Sequence, residues 1–209
     1  MSGSLRRRSA LVMGWMGLFA IRCAYAATDP FVTPWTPRFR RTRLSSLDAT
    51  VLDHDGRRHV LARLCNRPML LTFVYTRCEN ASKCSTTVSQ LAALQQVLTT
   101  AGLDERVRLV ALSFEPHFDT PARLHRFASD RGMRLGDTAL AAAMEGDGHV
   151  RLLDELATPV NFNAGWVNTH GIQAVLLDAA GRPVRRYSTL LWDNDAVLFD
   201  LKRLLMESQ

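Results

Sequence analysis

The chain is short of lysine, of cysteine and of long apolar runs, and each shortage excludes something. Only Lys83 and Lys202 among its 26 basic residues are lysines, an arginine bias that reads as genomic. The longest apolar stretch near the start, "SALVMGWMGLFAI" at 9–21, falls short of the roughly 20 residues that span a bilayer comfortably. Positive charge is scarcer than the net +6 suggests. Arg6, Arg7, Arg8 and Arg22 lie in residues 1–26, which hold no acid; the remainder sets 22 basic residues against 20 acidic ones. A body so near neutrality argues against a nucleic-acid partner. What is present is apolar: 47% hydrophobic residues in 209, enough for one domain with a real core.

The N-terminus speaks for export. Arg6–Arg8 form a positive leader, the apolar stretch follows, and "AYA" at 24–26 supplies an A-x-A cleavage site. The expectation is a signal peptide over 1–26, or an N-terminal anchor if it stays uncut, with the domain in or facing the periplasm. Thiols persist in such an oxidising compartment only when paired, metallated or actively reduced. Cys23 leaves with the signal. Cys78 and Cys84 remain as close partners in "YTRCENASKCSTTV", and Cys65 is left over in "LARLCNRP", where a small buried filler is the plain reading.

Punctuation organises the rest. "ATDPFVTPWTPRFRRTR" (27–43) holds three prolines and no periodicity, the pattern of a tether or loosely packed arm. "SSLDATVLDHDGRRHVLARL" predicts a hairpin turning at Asp55-Gly56. "PMLLTFVYT" (68–76) and "RVRLVALSF" (106–114) are near-continuous apolar runs, the mark of central strands buried on both faces. Between them Val88, Leu91, Ala92, Leu94 and Leu98 mark a helix ending near Gly102. "DTPARLHRFASDRG" predicts a helix capped by Asp119 or Thr120, with Pro121 at its first position. A short helix over 147–157, a hairpin from "GIQAVLLD" and "PVRRYSTL", and a closing helix in "DNDAVLFDLKRLLMES" complete residues 44–209 as one domain. A βαβ unit followed by an antiparallel hairpin and a last helix is the thioredoxin arrangement: an α/β fold whose central mixed sheet is flanked by helices, here with an N-terminal β-hairpin extension. The cysteines fall where the first central strand enters its helix, the end of a parallel strand at which open α/β sheets place their sites.

Spacing constrains what the pair does. On one continuous helix, residues six apart are separated by roughly 9 Å of rise, whereas a disulfide needs Cα atoms within roughly 7 Å. If Cys78 and Cys84 cooperate, "ENASK" must double back. The readings left open are a metal clip, a redox pair and a structural disulfide.

"LLTFVYTRC…C", then "VALSFEPHFDTPARL", then "WVNTHGIQAVLLDAAGRPVRRY" resembles the Sco/SenC family of copper proteins over roughly residues 44–207. The resemblance implies a thioredoxin fold and a role in maturing the copper site of cytochrome c oxidase, as copper donor, thiol reductant or both. It places two metal thiolates on Cys78 and Cys84 and an imidazole on His170. The chain departs from the family pattern in having five residues between the cysteines rather than three, and Glu79 and Ser85 where prolines follow them.

Among the histidines, His54 and His59 flank the first hairpin turn and are expected to be solvated; His117, His125 and His149 are expected at the surface. His170 stands on the approach to the last hairpin, eight residues before Asp178, and in this fold that approach faces the cysteine loop. Two thiolates and an imidazole are a soft, low-coordinate set. It favours Cu(I), allows Cu(II) if an oxygen ligand or water joins, and falls short of the closed four of structural zinc. Glu79 is a candidate fourth donor but is expected to be solvated; Glu115 and Asp119 are expected as a loop carboxylate and a helix cap. The leading expectation is an exported metallochaperone passing copper to an acceptor such as a cytochrome c oxidase subunit. The alternative is a thiol–disulfide oxidoreductase with Cys78 and Cys84 as the redox pair, and a weaker third is a copper or redox sensor.

Overall fold

The computed structural model describes residues 29–80 and 82–207. The signal or anchor expected over 1–26 lies outside them, as does Cys23. Strands β3 (Met69–Val74) and β4 (Arg108–Ser113) are buried at every position, as their unbroken apolar runs require. They pair in parallel from Met69↔Arg108 to Val74↔Ser113, and α2 (Cys84–Thr100) is the crossover between them. β5 (Ala139–Met144) extends the parallel set beside β4. The sequence reading has no strand there, because "ALAAAM" carries more helix than strand propensity. The slot beside β4 buries all six of its residues, and that burial overrides propensity.

The predicted first hairpin is present but shorter. β1 (Thr50–Asp53) and β2 (Arg58–Val60) pair antiparallel, while Ser45–Asp48 forms a 3-10 turn and Leu61–Leu64 a one-turn helix, α1. β8 (Ala174–Leu177) runs antiparallel to β3, and β9 (Pro183–Tyr187) antiparallel to β8. The sheet order is β2-β1-β5-β4-β3-β8-β9. With helices on both faces, this is the thioredoxin-like fold, β1–β2 forming its N-terminal extension.

Alternation along the strands divides the core. Leu70, Leu109, Ala111, Ala141 and Leu176 face one cluster with α2, α3 (Pro121–Ser129) and α5 (Asn194–Glu207). Met69, Leu71, Phe73, Val110, Leu112 and Val175 face the other with α1 and α4 (Gly148–Glu155). At the start of α3 the Thr120 hydroxyl accepts from the Arg123 amide and Pro121 follows it, so Thr120, not Asp119, is the cap.

A separate two-stranded sheet, β6 (Val160–Asn163) and β7 (Trp166–His170), was not anticipated. Its two-residue turn puts Ala164 at φ 49° and Gly165 at φ 81°. Positive φ at both positions is what a tight hairpin requires, but alanine is an unusual occupant and gives little signal. Behind β7, Gly171 lies against Pro159; a Cβ there would come within 2.5 Å of the proline Cγ, so the chain after His170 passes close only because the residue is glycine.

The arm expected to be loose is packed over its described part. Val32 bridges Tyr187, the Thr33 and Thr36 amides donate to the Arg186 and Val184 carbonyls at 2.9 Å, and the strand edge at β9 is thereby covered. Arg41, buried, pairs with Asp178 at 3.5 Å and Glu207 at 2.7 Å. Among the described residues no helix is long and apolar enough to cross a membrane.

Candidate metal centre

β3 ends at Val74, and the chain turns at once: the Cys78 amide donates to the Tyr75 carbonyl at 3.4 Å. The five-residue insert then doubles back through Asn80. Its carbonyl accepts from the Lys83 amide at 2.9 Å, its side-chain oxygen accepts from the Ser82 amide at 3.1 Å, and the Cys78 thiol donates to its carbonyl at 3.4 Å. Asparagine favours such local bonding, which shapes the loop between the cysteines. Helix α2 begins at Cys84 itself. Lys83 occupies the cap position with no side-chain capping bond.

The loop and β7 bring three soft donors together. His170 Nε2 lies 3.6 Å from Cys78 Sγ and 3.7 Å from Cys84 Sγ, and the three donor atoms all fall within 4.8 Å of one another. Among the described residues this is the one such convergence. His170 Nδ1 is 2.9 Å from the Gly171 carbonyl. A carbonyl only accepts, so Nδ1 carries the proton and Nε2 presents its lone pair to the sulfurs. Burial holds the imidazole below its ordinary pKa, and Lys83 adds to this against the Gly171 bond; the ring is a neutral donor at pH 7.

The two thiols differ. Cys78 is half-buried, while Cys84 is fully buried. The helix N-terminus favours a thiolate at Cys84, but burial, reinforced by the neighbouring Cys78, pushes its pKa up. Burial outweighs the Tyr75 backbone hydrogen bond that favours the anion, so an anionic Cys84 needs a cation beside it. Tyr75 and Phe114 form the walls, with ring centroids 5.4 and 5.3 Å from that of His170. The mouth is a hollow of about 520 Å³ lined by Tyr75, Cys78, Lys83 and the residues of β7.

The other candidates fall elsewhere. Glu79 is exposed and outside the convergent group. Glu115 is more than a loop carboxylate: it is 3% exposed, takes Arg77 through two bonds of 2.6 and 2.9 Å, and accepts from the Val167 amide at 2.7 Å. Asp119 turns away from α3 to accept from the Thr76 and Ser113 hydroxyls at 2.5 and 2.6 Å. Cys65 is buried under α1 in the opposite core cluster. His54 is not solvated as expected. It is 6% exposed and stands edge-on to His125, their ring centroids 5.7 Å apart. His59, half-buried, is 2.6 Å from Asp53. The sequence reading missed Lys83 and Arg77, whose signal was adjacency: each immediately precedes a cysteine.

The family model described as SCO1/SenC matches residues 46–206. The chain belongs to the SCO1/SenC family. Among solved structures it is similar to a SCO1/SenC family lipoprotein from Bacillus anthracis str. Ames, at 21% identity and TM-score 0.67 over 79% of this chain and 98% of that one. It is similar to Bradyrhizobium japonicum ScoI with copper bound, at 19% identity and TM-score 0.60 over 75% and 96%. It is also similar to BsSco, described as a member of the Sco family of cytochrome c oxidase assembly proteins, at 21% identity and TM-score 0.63 over 74% and 90%. No curated protein matches the chain. Membership of the SCO1/SenC family accords with the thioredoxin-like frame.

Proposed function

We propose that this SCO1/SenC protein is an exported copper chaperone. It carries copper on Cys78, Cys84 and His170 and delivers it to an acceptor such as a cytochrome c oxidase subunit. The observation that carries this reading is the convergence of two sulfurs and a lone-pair-bearing imidazole nitrogen within 4.8 Å. Three soft donors suit Cu(I); a water entering from the hollow would complete a site for Cu(II). The asymmetry of the site suits delivery. Cys78 at the mouth is the ligand an incoming thiolate can replace first, while Cys84 and His170 retain the ion from below. The copper-bound ScoI relative and the oxidase-assembly description of BsSco support the cargo and the acceptor. Export to the periplasm rests on the leader pattern at 1–26.

The same asymmetry supports a second reading, a thiol–disulfide oxidoreductase in which accessible Cys78 attacks and buried Cys84 resolves. Copper titration of the reduced protein separates the two. The chaperone reading expects one ion per chain. Cys78→Ala, Cys84→Ala and His170→Ala should each weaken binding by at least about 100-fold, since losing a mere supporting partner of a ligand costs 10–100-fold. An unchanged affinity in His170→Ala would remove the histidine from the site and favour the redox reading.

A further inference from the structure

We propose that Arg77 and Lys83, the residues immediately before the two cysteines, are positioning residues that clamp the His170 hairpin to the cysteine loop. This rests on the reading that Cys78, Cys84 and His170 hold copper. The need for a clamp follows from the topology. His170 ends a two-stranded sheet that shares no strand pairing with the seven-stranded one, whereas Cys78 and Cys84 hang from β3 and α2 of the main frame. No backbone ladder joins β7 to the main sheet; Phe162 and Val167 pack the hairpin on the core, and side-chain bonds must set the imidazole against the sulfurs.

Two cationic side chains cross that gap. Lys83 Nζ donates to the His170 carbonyl at 3.0 Å, so the residue before Cys84 grips the residue whose ring faces it. Arg77 grips the hairpin tip. Its guanidinium lies 3.7 Å from the Trp166 ring centroid and 5.0 Å from that of Phe118. Its Nε and Nη2 both bond Glu115, and the same buried carboxylate accepts from the Val167 amide. Glu115 thus joins three segments: the end of β4, the entry to Cys78 and the strand of His170. Arg77 itself is exposed, but the carboxylate it holds is buried, 3% exposed, which ties the guanidinium to a fixed point in the fold. A planar fork fitted to that carboxylate and to the indole is not replaced by an ammonium. The clamp sets the thiol–imidazole distances before any metal arrives, which makes copper retention depend on residues that are not ligands.

The test uses the reduced full chain in detergent. Lys83→Met removes the bond to the His170 carbonyl, Lys83→Arg keeps a donor there, and Arg77→Lys keeps the charge while losing the fork and the stack. Copper release is followed by competition with a Cu(I) chelator. In the apo protein, amide exchange at 166–170 and the His170 ring ¹H–¹⁵N signals are followed by NMR. The expected result is that Lys83→Met and Arg77→Lys each speed copper release by about 10-fold or more. They should also speed hairpin exchange and shift the His170 ring signals while the apo domain stays folded; Lys83→Arg should restore wild-type behaviour. Wild-type release and exchange in both loss variants would overturn the clamp. Failure of the unsubstituted chain to bind copper would overturn the chaperone reading instead, and the apo exchange data would still decide the clamp.

Discussion

Cys84 Sγ lies 3.7 Å from His170 Nε2 although 86 positions separate them in sequence. The sulfur is held at the first residue of α2 and the nitrogen at the last of β7. Each is placed by an element whose own core has nothing to do with the other. What the two do with each other, and with Cys78, is accessible to simple experiments.

Oxidation of the copper-free protein should join Cys78 to Cys84 and leave Cys65 alone. The paired sulfurs already lie within 4.8 Å, and the loop between them needs only a small movement to close the bond. Cys65 sits in the opposite core cluster, 3% exposed, its thiol pushed up to about 11 by burial. It should alkylate slowly in the folded state and at an ordinary rate in urea. Peptide mass mapping after mild oxidation checks both statements, and a Cys65 disulfide to either partner would contradict them.

Stability of the apo protein should fall between pH 7 and pH 5. Burial lowers the pKa of His54 from 6.5, outweighing the raising effects of Asp55 and Asp53, and burial also lowers that of His170. As pH drops through 6.5 the unfolded chain takes up protons that the folded one refuses, so unfolding is favoured. Each such group contributes at most about 1.4 kcal/mol per pH unit. Urea denaturation of His54→Gln at the two pH values should show a shallower slope than the unsubstituted protein; identical slopes would mean that His54 titrates alike in both states.

Gly181→Ala should destabilise by at least about 2 kcal/mol. Gly181 has φ +72°, and a Cβ there would collide with Leu47 Cδ1 and come within 3.3 Å of Cys65 Sγ. Both strain and overlap act at once. Adding Leu47→Ala removes the overlap but not the strain, so the double variant should lose less than the sum of the singles. Chemical denaturation of the four proteins measures the coupling directly.

Arg41→Ala should cost about 3 kcal/mol, the lower end for breaking a buried ion pair, because Asp178 keeps Arg182 at 2.8 Å. The Arg41 side chain, 1% exposed, also donates to the Thr36 carbonyl at 2.8 Å. Its loss removes the arm's buried ties to Asp178 and Glu207, leaving the edge bonds to β9 and the Trp35 and Arg38 bonds to Glu207. Limited proteolysis should then cut within 29–43 well before the rest of the domain opens, and equal resistance would show that these remaining bonds hold the arm by themselves.

The sequence by itself determined the central strands, because β3 and β4 are buried on both faces and their residues are apolar without interruption. It determined α2, α3 and α5 by period, and the Thr120-Pro121 start of α3 by chemistry that acts within four residues. It also marked Cys78, Cys84 and His170 as a set through resemblance, and the need for the insert to double back through the rise of a helix. Only the tertiary structure decided β5, where burial beside β4 makes a strand of an alanine-rich segment, and the β6–β7 hairpin, whose turn accepts alanine at positive φ. Only it decided that the described arm packs on β9, that His54 is buried, and that Asp119 ties strand ends together instead of capping. Those outcomes depend on which surface a residue meets across the fold, and local pattern carries no information about that surface. The same reason hid Arg77 and Lys83: their neighbours in sequence are the cysteines, but their partners stand 38 and 87 positions away.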